Sequence, residues 1–255
     1  MKVVTWNVNS LKARAEFLAL YLDKEKPDVI GLQELKLDAT EVPTSLFTER
    51  GYFLAMHTQK TWNGVLLAAR SEPQDVERGF LGDEGEARLV AATVDGIRFV
   101  NVYCPQGQSI DSPRYRYKLQ FYDGLVTWVG ERIGPDTSLV LMGDMNVAPE
   151  PEDIYDPIAF QNEPSFTPAE HERWQKLVGV GLVDAVKPHL KDVRYSFWDY
   201  RAGCFHKNEG MRIDHILVTE PVRARVENAW IDRQERKKKE GLLPSDHAPV
   251  AVSLR

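Results

Sequence analysis

The sequence predicts an α/β chain of two packed mixed β-sheets with helices outside, folded as one domain over residues 1–255. Short apolar runs recur and end abruptly on polar side chains, as buried strands do when they open into a cleft. Capped helical patterns separate several of these runs. No Gly/Ser-rich or Pro-rich linker, low-complexity tract or composition shift divides the chain, so a single domain is expected.

The elements follow in order. Val3-Val4-Thr5-Trp6 is an apolar run ending on Asn7. Ser10 is a good N-cap, and Leu11, Ala15, Leu18 and Leu22 recur at helical spacing until Pro27 stops the pattern. Val29-Ile30-Gly31-Leu32 then leads to Gln33 and Glu34, which places Asn7 and Glu34 at neighbouring strand ends. Strand-like runs continue over residues 52–56, 64–69, 89–94 and 97–103, and Asp95-Gly96 joins the last two as a tight antiparallel hairpin. Ser112 and Pro113 open a second helix, with Leu119, Tyr122, Val126, Val129 and Ile133 expected on one face. It delivers the chain into a strand at 138–142, ending on Gly143-Asp144-Met145-Asn146. Thr167-Pro168-Ala169-Glu170 is a capping box opening a third helix, closed by Gly179 and Gly181. The remainder reads as strands at 212–218, 226–231 and 248–254.

With 43% hydrophobic and 27% charged residues, a chain of 255 residues can bury a substantial core. Its formal net charge of -6 argues against coating nucleic acid through bulk positive charge, while leaving room for a local basic face. Three basic clusters stand out: Arg114, Arg116 and Lys118; Arg201, Lys207 and Arg212; and the run Arg233-Gln234-Glu235-Arg236-Lys237-Lys238-Lys239. The last is either a solvated turn or a phosphate contact. Two cysteines, Cys104 and Cys204, exclude a disulfide framework and a Cys-rich zinc site. The N-terminus enters a strand without a basic and apolar leader, and no apolar run approaches membrane-spanning length, so a soluble, cytoplasmic protein with no membrane role is expected; it is also expected to be a monomer.

Glu34, Asp144, Asp214 and Asp246, with Asn7, Asn146 and His247, form an oxygen-rich set with little nitrogen and no sulfur. Such a set selects a hard cation. Magnesium needs one or two carboxylates, keeps several waters and leaves room for a substrate phosphate, whereas zinc calls for more His or Cys. Glu34 is the leading ligand, helped by the side-chain oxygen of Asn7, with Asp246 free for the metal or its water shell. Phosphodiester hydrolysis would use the rest. Asp144 serves as general base or water-orienting group, with Asn146 pointing the same way if the backbone stays extended. His247 is a phosphate-facing donor oriented by Asp214, because Asp246, adjacent in extended chain, points to the opposite side. Tyr103 offers a phenolic donor. Singly, each has a plain structural reading: Asp-x-Asn as an Asx-turn, Asn7 as a cap, a buried acid satisfying backbone donors. His215, inside a strand, reads as packed rather than catalytic.

Trp6-Asn7-Val8-Asn9-Ser10-Leu11, Leu32-Gln33-Glu34-Leu35-Lys36, Tyr103-Cys104-Pro105-Gln106-Gly107, Gly143-Asp144-Met145-Asn146-Val147-Ala148-Pro149, Phe197-Trp198-Asp199-Tyr200-Arg201, Arg212-Ile213-Asp214 and Ser245-Asp246-His247-Ala248-Pro249-Val250 follow one another along nearly the whole chain. In this order they resemble the signatures of the exonuclease III family of apurinic/apyrimidinic (AP) endonucleases, within the wider endonuclease/exonuclease/phosphatase (DNase I-like) superfamily. The resemblance implies a four-layered α/β sandwich, dependence on magnesium with manganese as a substitute, and hydrolysis of double-stranded DNA 5′ to abasic sites. It further implies 3′ to 5′ exonuclease and 3′-end-cleaning activity. By position it assigns metal binding to Glu34, Asn7 and Asp246, and catalysis to Tyr103, Asp144, Asn146, Asp214 and His247. Phe197, Trp198, Met211 and Ile213 match an apolar pocket for a base-free sugar, which must leave the stack to be cut. Gln106 and Arg201 belong to the same substrate-binding motifs.

Two other functions compete. One is a phosphatase or phosphodiesterase of the same superfamily acting on a phosphoinositide or sphingolipid, against which no membrane-docking apolar loop is seen. The other is a catalytically silent DNA-binding module, which should have lost an acid, and none is missing.

Overall fold

The computed structural model describes residues 1–255. Two six-stranded sheets pack face to face. In the first, β1 (Lys2–Asn7) and β2 (Val29–Gln33) lie parallel, joined by helix α1 (Leu11–Glu25). β3 (Phe53–His57) and β4 (Val65–Ala69) extend it on one side, β11 (Val226–Ile231) and β12 (Val250–Leu254) on the other, in the order β11-β12-β1-β2-β4-β3. The second repeats the plan, with β7 (Ile97–Tyr103) and β8 (Leu139–Asp144) parallel across helix α3 (Pro113–Gly130). Its order is β5-β6-β7-β8-β10-β9, using β5 (Gln74–Arg78), β6 (Leu89–Val94), β9 (Leu182–Asp184) and β10 (Asp214–Thr219). Helix α4 (Pro168–Gly179) joins α3 on the outer face, and α2 (Ser45–Thr48), α5 (Cys204–Lys207) and α6 (Glu220–Arg223) are single turns. No helix is long and apolar enough to cross a membrane.

Three apolar cores account for the four layers. The central one fills the space between the sheets with Val3, Leu67, Val90, Phe99, Met142, Ile216 and Val250. A second seals α3 and α4 to one sheet, and a third seals α1 to the other through Phe17, Leu18, Tyr21 and Leu22. All are built from the alternation of the strands, whose successive side chains face opposite layers.

The helix caps are those the sequence indicates. The Ser10 hydroxyl accepts from the Ala13 N–H (3.4 Å), the Ser112 hydroxyl from the Tyr115 N–H (3.0 Å), and Thr167 and Glu170 close both halves of their box. The buried face of α3 differs from the expected one. Phe121, Leu125 and Trp128 are buried with Tyr122 and Val129, whereas Leu119 and Val126 are only half-buried, and the helix ends at Gly130 before Ile133. β5 and β9 were not legible. β5 is largely polar and partly exposed and β9 is only three residues long, so neither shows the alternation of a half-buried strand.

This topology gathers the polar groups. A parallel strand delivers its C-terminal end, and an antiparallel neighbour its N-terminal end, to the same rim of a sheet. Tyr103 and Asp214 are therefore both in register with Asp144, and Asn7 with Gln33 beside Glu34.

Candidate active site

At that rim lies a cavity of about 660 Å³. Glu34, Tyr103, Gln106, Asp144, Asn146, Phe197, Arg201, Met211, Ile213, Asp246 and His247 all line it.

The chain passes from β8 into the cavity through Gly143, whose φ of +149° brings it against β7. A Cβ there would lie 1.9 Å from the Val102 carbonyl oxygen. Asp144 follows, buried, its Oδ1 accepting from the Asn146 N–H (2.9 Å) and its Oδ2 from Asn7 Nδ2 (2.9 Å). The first contact is an Asx-turn, so turn and site coexist in the same residues. The backbone does not stay extended beyond Asp144: Asn146 adopts φ +50° and donates its Nδ2 to the Cys104 carbonyl (2.9 Å).

His247 Nδ1 and Asp214 Oδ2 are 2.8 Å apart, which points the Nε2 edge toward Asp144, 3.8 Å from its Oδ2. Ser196 Oγ donates to the same Asp214 oxygen (2.7 Å), while Asp214 Oδ1 is buried with no hydrogen-bond partner. Burial disfavours charge on His247, but the Asp214 and Asp144 carboxylates outweigh it and raise the imidazole well above its ordinary value. Asp144 is itself raised, chiefly by burial, with the His247 charge opposing. The Phe197 ring packs against the imidazole at 4.9 Å.

Beside Asp144, on the other side of the shared Asn7 amide, Glu34 stands at φ +56°, just beyond β2. Burial favours its neutral form, yet Lys36 (2.8 Å) and the Asn7 amide (2.7 Å) prevail and hold it below the usual carboxylate range. Lys36 also donates to Asn9 Oδ1 (2.7 Å), and Asn9 Nδ2 to Asp246 Oδ1 (3.0 Å), so one polar chain connects the two outer acids. Tyr103 is pushed far above the ordinary phenol value by burial and by the charges of Glu34 and Asp144. It therefore stays a proton donor.

Three sequence assignments change. Asn7 sits between two carboxylates, which demand a donor, so its amide nitrogen faces Glu34 and Asp144 and its oxygen accepts from the Asn9 N–H (2.9 Å). Its oxygen is thus committed away from Glu34. Trp198 is fully buried in the central core and reaches no cavity wall; the pocket's aromatic sides come from Phe197, Tyr155 and Phe160. Finally, the basic clusters are partly internal. Lys118 is buried on Glu170, Arg212 is buried between Asp153 (2.7 Å) and Asp184 (2.5 Å), and Arg236 is buried as well. His215 is packed under Arg212 (3.1 Å), its Nε2 at the Val147 carbonyl (2.9 Å).

Lys36, Asn9 and Ser196 escaped the sequence reading as site residues. Lys36 and Asn9 each lie within a signature motif, two residues past Glu34 and Asn7 respectively. Ser196 is placed by backbone contacts distant in sequence, its N–H donating to the Met211 carbonyl (2.9 Å) and its carbonyl accepting from the Ala248 N–H (2.7 Å).

The acidic groups fit a divalent cation. The ligand atoms of Asp144, Asp214 and His247 lie within 4.8 Å of one another, and Asp214 also carries a buried oxygen, Oδ1, with no hydrogen-bond partner; with His247 charged, the carboxylate oxygens are the donors this cluster offers. Glu34 and Asp246 add hard oxygen donors to the lining of the same cavity.

The model of the endonuclease/exonuclease/phosphatase family matches residues 4–247. Exodeoxyribonuclease III of Haemophilus influenzae is 34% identical, with 100% of both chains covered. Among solved structures, a 3′-5′ exonuclease from Neisseria meningitidis superposes with a TM-score of 0.95 at 38% identity, covering 100% of this chain and 99% of that one. An AP endonuclease from Archaeoglobus fulgidus gives 0.93 at 34% identity, with the same coverage. Fold, cavity and full-length similarity agree, and the chain belongs to the endonuclease/exonuclease/phosphatase family, in its exodeoxyribonuclease III branch.

Proposed function

We propose that this DNA repair nuclease hydrolyses the phosphodiester on the 5′ side of an abasic site in duplex DNA, with magnesium as cofactor, and also trims 3′ ends. The observation that carries the reading is one cavity combining the Asp144–Asp214–His247 cluster with an apolar wall of Phe197, Met211 and Ile213. A base-free sugar turned out of the helix fits such a wall, while an intact nucleotide brings a base that must also be accommodated.

Glu34 and Asp246 would hold the ion. When bound, magnesium supplies positive charge that polarises the scissile phosphate and stabilises the leaving 3′ oxygen. The chain's own groups do the rest. Asp144 accepts the proton of the attacking water, its carboxylate aimed by Asn7 and by the turn to Asn146. The His247 imidazolium donates from Nε2 to a phosphate oxygen, and Asp214 keeps that ring charged and oriented. Tyr103 donates at the leaving-group side. The products are a 3′ hydroxyl and a 5′ phosphate on the abasic sugar.

The test compares initial rates on a duplex with an abasic-site analogue and on a recessed 3′ end, each with magnesium and with EDTA. Metal-dependent incision directly 5′ to the lesion is expected. Turnover of a phosphoinositide with no DNA cleavage, or tight binding of abasic duplex with no cleavage, would overturn the proposal.

A further inference from the structure

The run 233–239 takes no part in the site above, and its charges have separate fates. Glu235 is buried and consumed by Lys24 (3.2 Å) and Lys239. Arg236 is only 8% exposed, yet no carboxylate pairs with it. Its Nη2 donates to the Trp198 carbonyl (3.1 Å), and its Nε is buried without a partner. The guanidinium lies 4.7 Å from the centre of the Tyr200 ring and 5.3 Å from that of Phe205. Aromatic faces return part of the desolvation cost, but a buried cation without a counter-ion remains a strong attractor for an anion.

Arg236 lines a second cavity, of about 390 Å³, together with Lys237, Lys238, Tyr200, Phe205 and Leu243. Both lysines are exposed and free of ion pairs. The carboxylate on its wall, Asp199, is already clamped by Arg201 through 2.6 and 3.0 Å contacts, so the cavity keeps a surplus of positive charge in a protein of net charge -6. Asp199 and Cys204 line both cavities, which therefore adjoin.

We propose that this second cavity is a phosphate-binding subsite, formed by Arg236, Lys237 and Lys238 beside the catalytic cavity. Resting on the nuclease reading, the phosphate belongs to the DNA strand leaving the catalytic cavity. Inorganic phosphate presents the same chemistry from another source.

The experiment has two arms, applied to the wild type, to the Lys237→Gln, Lys238→Gln double variant and to Arg236→Met. The double variant changes only exposed side chains, so it stays informative if Arg236→Met folds poorly. In the first arm, fluorescence anisotropy gives the affinity for an abasic-analogue duplex in EDTA across a salt series. A phosphate contact adds about 0.9 to the slope of log K against log salt, so the slope should fall by about 1 and affinity severalfold at low salt. In the second, thermal melting is compared in inorganic phosphate and in chloride at equal ionic strength. Loss of slope in the variants supports a DNA phosphate. An unchanged slope with a phosphate-dependent rise in Tm that the variants lose supports a free phosphate. The absence of both effects would overturn the subsite. Incision by the wild type is read separately: its failure, alongside a phosphate effect lost in the variants, removes the nuclease reading and leaves the subsite standing.

Discussion

Lys118 offers the most exacting test of how the cavity is held. It lies in α3, fully buried, and its ammonium meets the buried Glu170 carboxylate while donating to the carbonyls of Asn146 (2.7 Å) and Gln106 (3.2 Å). Glu170 in turn accepts from the N–H groups of Ser165 (2.9 Å) and Thr167 (2.9 Å). One ion pair thus ties together three loops that line the cavity, including the left-handed turn at Asn146. Lys118→Met keeps the volume and deletes the charge. Breaking a buried pair costs about 3–5 kcal/mol. The donors that Glu170 retains place this case near the lower bound, so a loss of about 3 kcal/mol is expected, or roughly 6–12 °C in Tm for a chain of this size. Urea unfolding should show a lower midpoint with an unchanged m-value. Adding Glu170→Gln removes the stranded charge, so the double variant should recover part of the loss. Displacement of Asn146 should also cut the rate on abasic duplex by about 10-fold or more, since a misplacement of 1 Å can cost ~100-fold. A Lys118→Met protein within 0.5 kcal/mol of wild type, roughly the size of an ordinary surface change, would refute the reasoning.

Three further outcomes follow from the geometry. Asp214→Asn should lower the rate by about 10²–10⁴ in single-turnover kinetics, because it neutralises the group that keeps His247 charged, with little change in the far-ultraviolet circular dichroism. Gly143→Ala should destabilise the fold by more than about 3 kcal/mol in urea unfolding, since the added Cβ meets the Val102 carbonyl of the neighbouring strand at 1.9 Å. Burial pushes the Asp184 carboxyl up, but Arg212 and His215 overcome this and hold it far below the ordinary range. A depressed folded pKa stabilises fully above the unfolded value of about 3.9 and is lost as pH falls below it, so urea midpoints should drop less between pH ~5 and ~3 in Asp184→Asn than in wild type.

Much of the fold was legible because local signals agreed with one another. Ser10, Ser112 and Thr167 mark helix starts by chemistry that needs no tertiary partner, and the apolar runs before Asn7, Tyr103 and Asn146 announce buried strands. β5 and β9 were silent, β5 because it is largely polar and β9 because three residues are too short to show an alternation. The site was legible for a related reason: residues at strand ends are brought together by sheet register alone, which places Asp144 opposite both Tyr103 and Asp214. What stayed hidden depends on the third dimension. Which end of the Asn7 amide faces Glu34 is decided by a second carboxylate 137 residues away. Trp198 and Phe197 are neighbours in sequence, but one faces the core and the other the cavity. Lys118, Arg212 and Arg236 look like surface charge until their burial is known.

In the proposed mechanism two neighbouring carboxylates, joined by the Asn7 amide, are both needed to cut DNA at an abasic site: Glu34 for the ion and Asp144 for the water. The most direct measurement is magnesium-dependent incision of an abasic-analogue duplex by wild type and by the Glu34→Gln, Asp144→Asn double variant, with duplex affinity measured in parallel. The variant should still bind the duplex while incision falls to the level seen in EDTA. Equal incision by variant and wild type would contradict this mechanism.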